Sequence, residues 1–135
     1  MNKQQSGFTL IELIAVIVIL GVLAATAVPR FVNLSADARV AARNGMAGNL
    51  ASASALNKAA DVAQDAGLTG GTAPLAVSDC QDIASLLDGT ATYAAFIAAN
   101  PDYVITSATI PDEGSATCAL VAYGATTNFI GHEAE

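Results

Sequence analysis

The chain has 135 residues, one domain's worth of length, with 53% hydrophobic residues and a formal net charge of −7. All five basic residues (Lys3, Arg30, Arg39, Arg43 and Lys58) fall in the first 58 positions, and of the twelve acidic ones only Glu12 and Asp37 precede Lys58. The distal part is therefore anionic, which argues against a phosphate-binding surface and so against nucleic acid as a partner. Two cysteines are too few for a disulfide-dense mini-protein and lack metal-ligand spacing.

Residues 1–7 (MNKQQSG) are short and polar. From Phe8 to Val28 the chain is apolar for 21 residues, interrupted only by Glu12, Thr9 and Thr26. A helix of that length rises about 32 Å, enough to cross the hydrocarbon core of a bilayer. Lys3 and Arg30 bracket the span and do not orient it, because orientation needs an imbalance of positive charge. Glu12 is the anomaly: a carboxylate one turn inside an apolar helix needs a partner or a task, unless it reaches the interface.

The run Gly7-Phe8-Thr9-Leu10-Ile11-Glu12-Leu13 resembles the type IV prepilin motif, with Gly before the cut, Phe after it and Glu fifth in the mature chain. The short leader resembles the type IVa kind, and Pro29 falls where that family has its helix-bending proline. Within the family, Ala27-Val28-Pro29-Arg30-Phe31-Val32-Asn33-Leu34-Ser35-Ala36-Asp37-Ala38-Arg39 is most similar to the mannose-sensitive haemagglutinin (MSHA) type of major pilin. The resemblance implies cleavage by a prepilin peptidase between Gly7 and Phe8, and N-methylation of the new Phe8 amine. It implies that Glu12 pairs with the Phe8 amine of a neighbouring subunit. A buried carboxylate without an in-chain partner, satisfied only on assembly, would set the register between subunits. The implied partners are further copies of the chain in a helical filament, the inner membrane, the peptidase, and indirectly an assembly platform and its ATPase. An anchored precursor would become part of an extracellular pilus. Two other functions stay open: a pseudopilin of a type II secretion system, and a soluble secreted binding module released at Ala25-Thr26-Ala27, which resembles a signal-peptide cleavage site.

Beyond Pro29, which is expected to bend or loosen the helix, Phe31, Leu34, Ala38, Ala42, Met46, Leu50, Ala53 and Leu56 recur at steps of three and four. They predict one apolar stripe on an amphipathic helix to about Ala66. The Asn33-Leu34-Ser35 sequon lies on that stripe and reads as incidental. Gly67, Gly70, Gly71 and Pro74 open a loop. Ser78 and Gln81 fit a capping box starting a short helix that Gly89 would stop. Tyr93–Ala99 is ambiguous between helix and strand, and Asn100-Pro101 ends it. Strands are expected over Tyr103–Ile110 and Ala116–Tyr123, joined through Pro111-Asp112-Glu113-Gly114.

The predicted fold is α+β and pilin-like: leader 1–7, filament-core helix 8–28, amphipathic half 29–66, and a globular head 67–135 with a small antiparallel sheet. An exported head would oxidise Cys80 and Cys118 to one disulfide tying the short helix to the last hairpin; a reducing compartment would leave two buried thiols. Asp112 and Glu113 offer at most a weak divalent-cation contact, and the bland alternative is a solvated acidic surface. No phosphate loop, H-E-x-x-H, C-x-x-C or G-x-S-x-G occurs. His132, the only histidine, is expected to be exposed and idle. No catalytic residue, cofactor or metal ligand is assigned, and no enzyme activity is expected.

Overall fold

The computed structural model describes residues 7–68, 70–87 and 91–135, with backbone alone at 31–33. Leader residues 1–6, the Phe31 side chain of the expected stripe and the Gly89 stop lie outside the described residues. The chain divides into two compact units, Met1–Ala38 and Arg39–Glu135.

Helix α1 runs from Leu10 to Asp65, with Pro29 inside it. Proline has no N–H to give, so the carbonyl one turn back loses its usual donor. The Thr26 hydroxyl of the apolar span donates to the Leu23 carbonyl at 2.9 Å and so carries no unmet polar group. At the other end the helix closes as a Schellman motif. Gly67 adopts φ +82°, its N–H donates to the Gln64 carbonyl, and the Leu68 N–H reaches back to the Ala63 carbonyl.

Within the C-terminal unit a short 3-10 helix, Asp82–Leu86, precedes helix α2, Tyr93–Ala99. α2 resolves the ambiguous stretch as helix, because Thr92 caps it by accepting from the Ala95 N–H. Three antiparallel strands follow in the order β1 (Tyr103–Ile105), β2 (Ser115–Ala122), β3 (Ala125–His132). The core gathers Leu50 of α1, Ile83, Phe96, Ile105, Ile110, Leu120 and the disulfide Cys80–Cys118, whose sulfurs are fully buried. This is the expected α+β architecture, long helix, small antiparallel sheet and one disulfide included.

Several local expectations are corrected. The strand expected over Tyr103–Ile110 changes partner midway: β1 pairs with β2 through Ile105, with a last bond from the Thr106 N–H to the Ala119 carbonyl, whereas Thr109 bridges Asp79 and the Ile110 N–H donates to the Ser78 carbonyl. The region around Cys80 thereby takes over the second half of the extended segment. β3 was absent from the expectation. It follows a two-residue turn in which Tyr123 (φ +54°) and Gly124 (φ +75°) are both left-handed, the geometry of a tight hairpin. The Ser78–Gln81 capping box does not form. Asp82 accepts from the Ser78 and Asp79 N–H groups instead, and the Gln81 amide is drawn to the Ile105 carbonyl at 3.0 Å.

The helix stripe is also displaced. Met46 and Leu50 pack on the core, but Leu56 is 72% exposed. The buried face instead carries Arg43, Ala47, Leu50, Ser54 and Asp61. Its polar members are satisfied across the unit: Arg43 Nε donates to Thr127 Oγ1 at 2.6 Å, and Ser54 Oγ accepts from the His132 N–H at 2.7 Å.

Candidate assembly site

The N-terminal unit begins with Gly7, around which a side chain would meet nothing, and Phe8, which is 78% exposed. Thr9 is the helix cap. Its N–H and its hydroxyl both donate to Glu12 Oε2, at 2.8 and 2.7 Å, and its Oγ1 accepts from the Glu12 N–H at 3.3 Å. This is a complete capping box, T-x-x-E, and it starts the helix at the beginning of the lipophilic span. A negative group in the first turn also complements the helix dipole.

The capping box corrects the expectation that Glu12 lacks an in-chain partner: Thr9 satisfies one of its oxygens within the chain. Glu12 is not joined to Phe8, whose nitrogen in the uncut chain is a peptide nitrogen. Cleavage after Gly7 would leave the Thr9 contacts in place and add a free amine one residue away. The signal was legible in the sequence as T-x-x-E, a variant of the capping-box pattern sought at Ser78 and Gln81.

Downstream, every large apolar side chain from Phe8 to Val28 stands between 43% and 78% exposed. The helix is the one span among the described residues long and apolar enough to cross a membrane. A cylinder of Ile, Leu and Val with so much uncovered surface is stable only in lipid or against other apolar helices.

In the C-terminal unit three charged side chains converge. Lys58 Nζ lies 2.7 Å from Asp61 Oδ2 and 3.3 Å from Glu133 Oε2. Glu133 Oε2 also accepts from the Glu113 N–H at 2.9 Å, and Asp61 Oδ1 accepts from the Glu135 N–H at 3.4 Å. The hydrogen bond to Lys58 holds the Asp61 carboxyl below its ordinary range, and the hydrogen bond to Asp61 raises the Lys58 ammonium. His132 is half-buried rather than exposed, its backbone held by Ser54. Asp112 and Glu113 are exposed, with Glu113 left-handed at φ +53°. Among the described residues no group of three or more His, Cys, Asp or Glu side chains could hold a metal ion.

A further cluster was not foreseen. The Arg39 guanidinium carbon lies 5.7 Å from the Tyr123 ring centroid, and Tyr103 meets Tyr123 edge-on with centroids 5.7 Å apart. The hydrogen bond with Tyr123, with burial, raises the Tyr103 phenol above its ordinary value of 10.0.

Residues 2–28 match the family described as the prokaryotic N-terminal methylation motif. The N-terminal segment thus carries the methylation signal shared by type IV pilins and pseudopilins, over about a fifth of the chain. The chain is also similar to the type II secretion system core protein G of Pseudomonas aeruginosa, 50% identical over 44 residues. That match covers 33% of this chain and 31% of the relative, so the chain spans about a third of the length of the curated relative it matches. No solved structure matches.

Proposed function

We propose that the chain is a structural subunit, the major pilin of a type IV pilus, that is cut between Gly7 and Phe8, methylated at Phe8 and polymerised through its N-terminal helix. The carrying observation is the juxtaposition of the methylation motif with an apolar helix whose side chains are uncovered in the single chain. Helices of this kind leave lipid for one another at little net cost, and Gly21, Ala24 and Ala25 permit close approach. Subunits contacting through two different surfaces make head-to-tail contacts that propagate as an open helical filament. In that filament Glu12 would add the Phe8 amine of a neighbour to its Thr9 contacts, and Pro29 would bend the rod. The subunit would pass from the inner membrane to an extracellular fibre serving adhesion or motility, of the MSHA type, by way of a peptidase, a platform and an ATPase. It would carry structure and no catalysis.

A second reading is a pseudopilin of a type II secretion system, which the similarity to core protein G favours specifically. Mass spectrometry of material sheared from cells separates the readings. Long surface fibres containing this chain, beginning at methylated Phe8, support the pilin. The chain confined to the cell envelope favours the pseudopilin, and a mature start at Val28 overturns both.

A further inference from the structure

The apolar run starts at Phe8, and unbonded peptide groups are costly in an apolar phase, so a helix there is favoured to continue back through Phe8 and Gly7. It does not. Residues 7–9 lie outside any helix, and α1 begins at Leu10. A helix extended to Gly7 would bond the Ile11 N–H to the Gly7 carbonyl and the Glu12 N–H to the Phe8 carbonyl. Instead the Glu12 N–H goes to Thr9 Oγ1 at 3.3 Å, and the helical ladder opens with the Leu13 N–H on the Thr9 carbonyl at 3.2 Å. The Glu12 carboxylate takes the Thr9 N–H at 2.8 Å. Among the described residues, the Gly7 and Phe8 carbonyls accept no hydrogen bond.

That freed stretch contains the bond cut in the proposed maturation. Hydrolysis adds water across the Gly7–Phe8 amide, leaving a carboxylate on Gly7 and an amine on Phe8. Attack falls on the Gly7 carbonyl carbon, and the oxygen that gains negative charge has to accept hydrogen bonds from the enzyme. A carbonyl bonded along a helix has its oxygen occupied, and cleavage then waits on local opening. Gly7 is itself a poor helix former, so Phe8 stands between a weak helical position and a stop.

We propose that Thr9 is a positioning residue for this cleavage: as N-cap it halts α1 at Leu10 and keeps the Gly7–Phe8 bond in open backbone at the edge of the lipophilic span. The inference rests on the proposed cut between Gly7 and Phe8, which the pilin and pseudopilin readings share. The Thr9 hydroxyl is occupied within the box, donating to Glu12 Oε2 and accepting from the Glu12 N–H. Its effect on the bond therefore passes through backbone conformation.

The test uses the full uncut chain in detergent micelles with a purified prepilin peptidase. Thr9→Ala removes the cap and puts the best helix former in its place. Carbon chemical shifts of Gly7 and Phe8 should then move to helical values, and kcat/KM for cleavage should fall roughly threefold to tenfold. Closure lowers the fraction of competent substrate, so the loss should sit in KM with kcat kept. Thr9→Ser and Thr9→Asp, which also cap, should restore both the shifts and the rate. Wild-type cleavage of Thr9→Ala overturns the role, and so does slow cleavage with Gly7 and Phe8 still outside the helix. A loss from Thr9→Ser equal to that from Thr9→Ala, or a loss confined to kcat, would also overturn it. A wild-type chain left uncut, or cut elsewhere, would instead remove the reading beneath the inference and leave Thr9 a helix cap alone.

Discussion

Glu12 has two tasks to be separated, because the carboxylate that closes the capping box with Thr9 is also the one proposed to meet a neighbour's amine. Glutamine at this position still accepts from the cap donors and keeps the box, but it brings no charge. Glu12→Gln should therefore insert and fold like the wild type yet reduce filament yield by about tenfold or more, as should Glu12→Ala, since an amine left unpaired inside the assembly is costly. Counting fibres sheared from cells expressing each variant checks this. Wild-type yield from the Gln variant together with low yield from the Ala variant would assign Glu12 to helix capping alone. A second residue acts by its absence of side chain. A Cβ on Gly131 would lie 2.5 Å from Ile83 Cδ1, 2.8 Å from Cys118 Sγ and 3.1 Å from Ile110 Cδ1. Ile83 and the disulfide are fully buried and cannot swing out of the way. Gly131→Ala should destabilise the C-terminal unit by about 1–3 kcal/mol, seen as a lower melting temperature.

Elements were legible where a local pattern decided them and obscure where a distant segment did. The C-terminal end of α1 follows from Gly67, whereas the Thr9 and Thr92 caps, equally local, were not read and left Tyr93–Ala99 ambiguous. β3 was missed because the turn needs both Tyr123 and Gly124 left-handed, and a tyrosine after an apolar run reads as strand. The inner face of α1 was misplaced for a related reason: periodicity counts apolar residues, whereas Arg43, Ser54 and Asp61 are buried against partners contributed by β3 and the tail. The same contacts fasten the tail, since Lys58 holds Asp61 and Glu133 while Glu133 holds the turn at Glu113. Asp61, lowered from an ordinary 3.8, contributes stability above that value and loses it as acid protonates the folded form. Lys58, raised from 10.5, contributes below that value and loses it in alkali beyond the folded value. Lys58→Met should therefore be less stable than the wild type by a constant margin between about pH 4 and pH 10, with the margin shrinking at both ends. Melting curves of the two detergent-solubilised proteins across pH check it; a margin that does not shrink in acid or alkali would remove the ionic tether.

At the scale of the whole molecule the chain joins two parts stabilised by different means. From Leu10 to Val28 it is an uncovered apolar helix, whose order depends on surroundings that it does not supply. From Arg39 onward a small core carries little reserve, as expected of so short a globular part. Its largest single constraint is the Cys80–Cys118 bond, which closes a loop with a sequence separation of 38. In the chain-entropy account that closure removes about 4 kcal/mol of freedom from the unfolded state, a large share of the 5–15 kcal/mol that folded domains commonly have. The bond also joins the segment before the 3-10 helix to the middle of β2, next to where Thr109 and Ile110 leave the sheet for Asp79 and Ser78. Paired Cys80→Ser and Cys118→Ser substitution should therefore lower the melting temperature of the C-terminal unit strongly, and amide exchange should open first at residues 77–87 and 106–110. The N-terminal helix in micelles should keep its protection, because its own backbone hydrogen bonds and the surrounding apolar phase hold it. Loss of protection at 10–28 in parallel with 77–87 would show that the two parts fold as one and would end the division on which the proposed assembly depends.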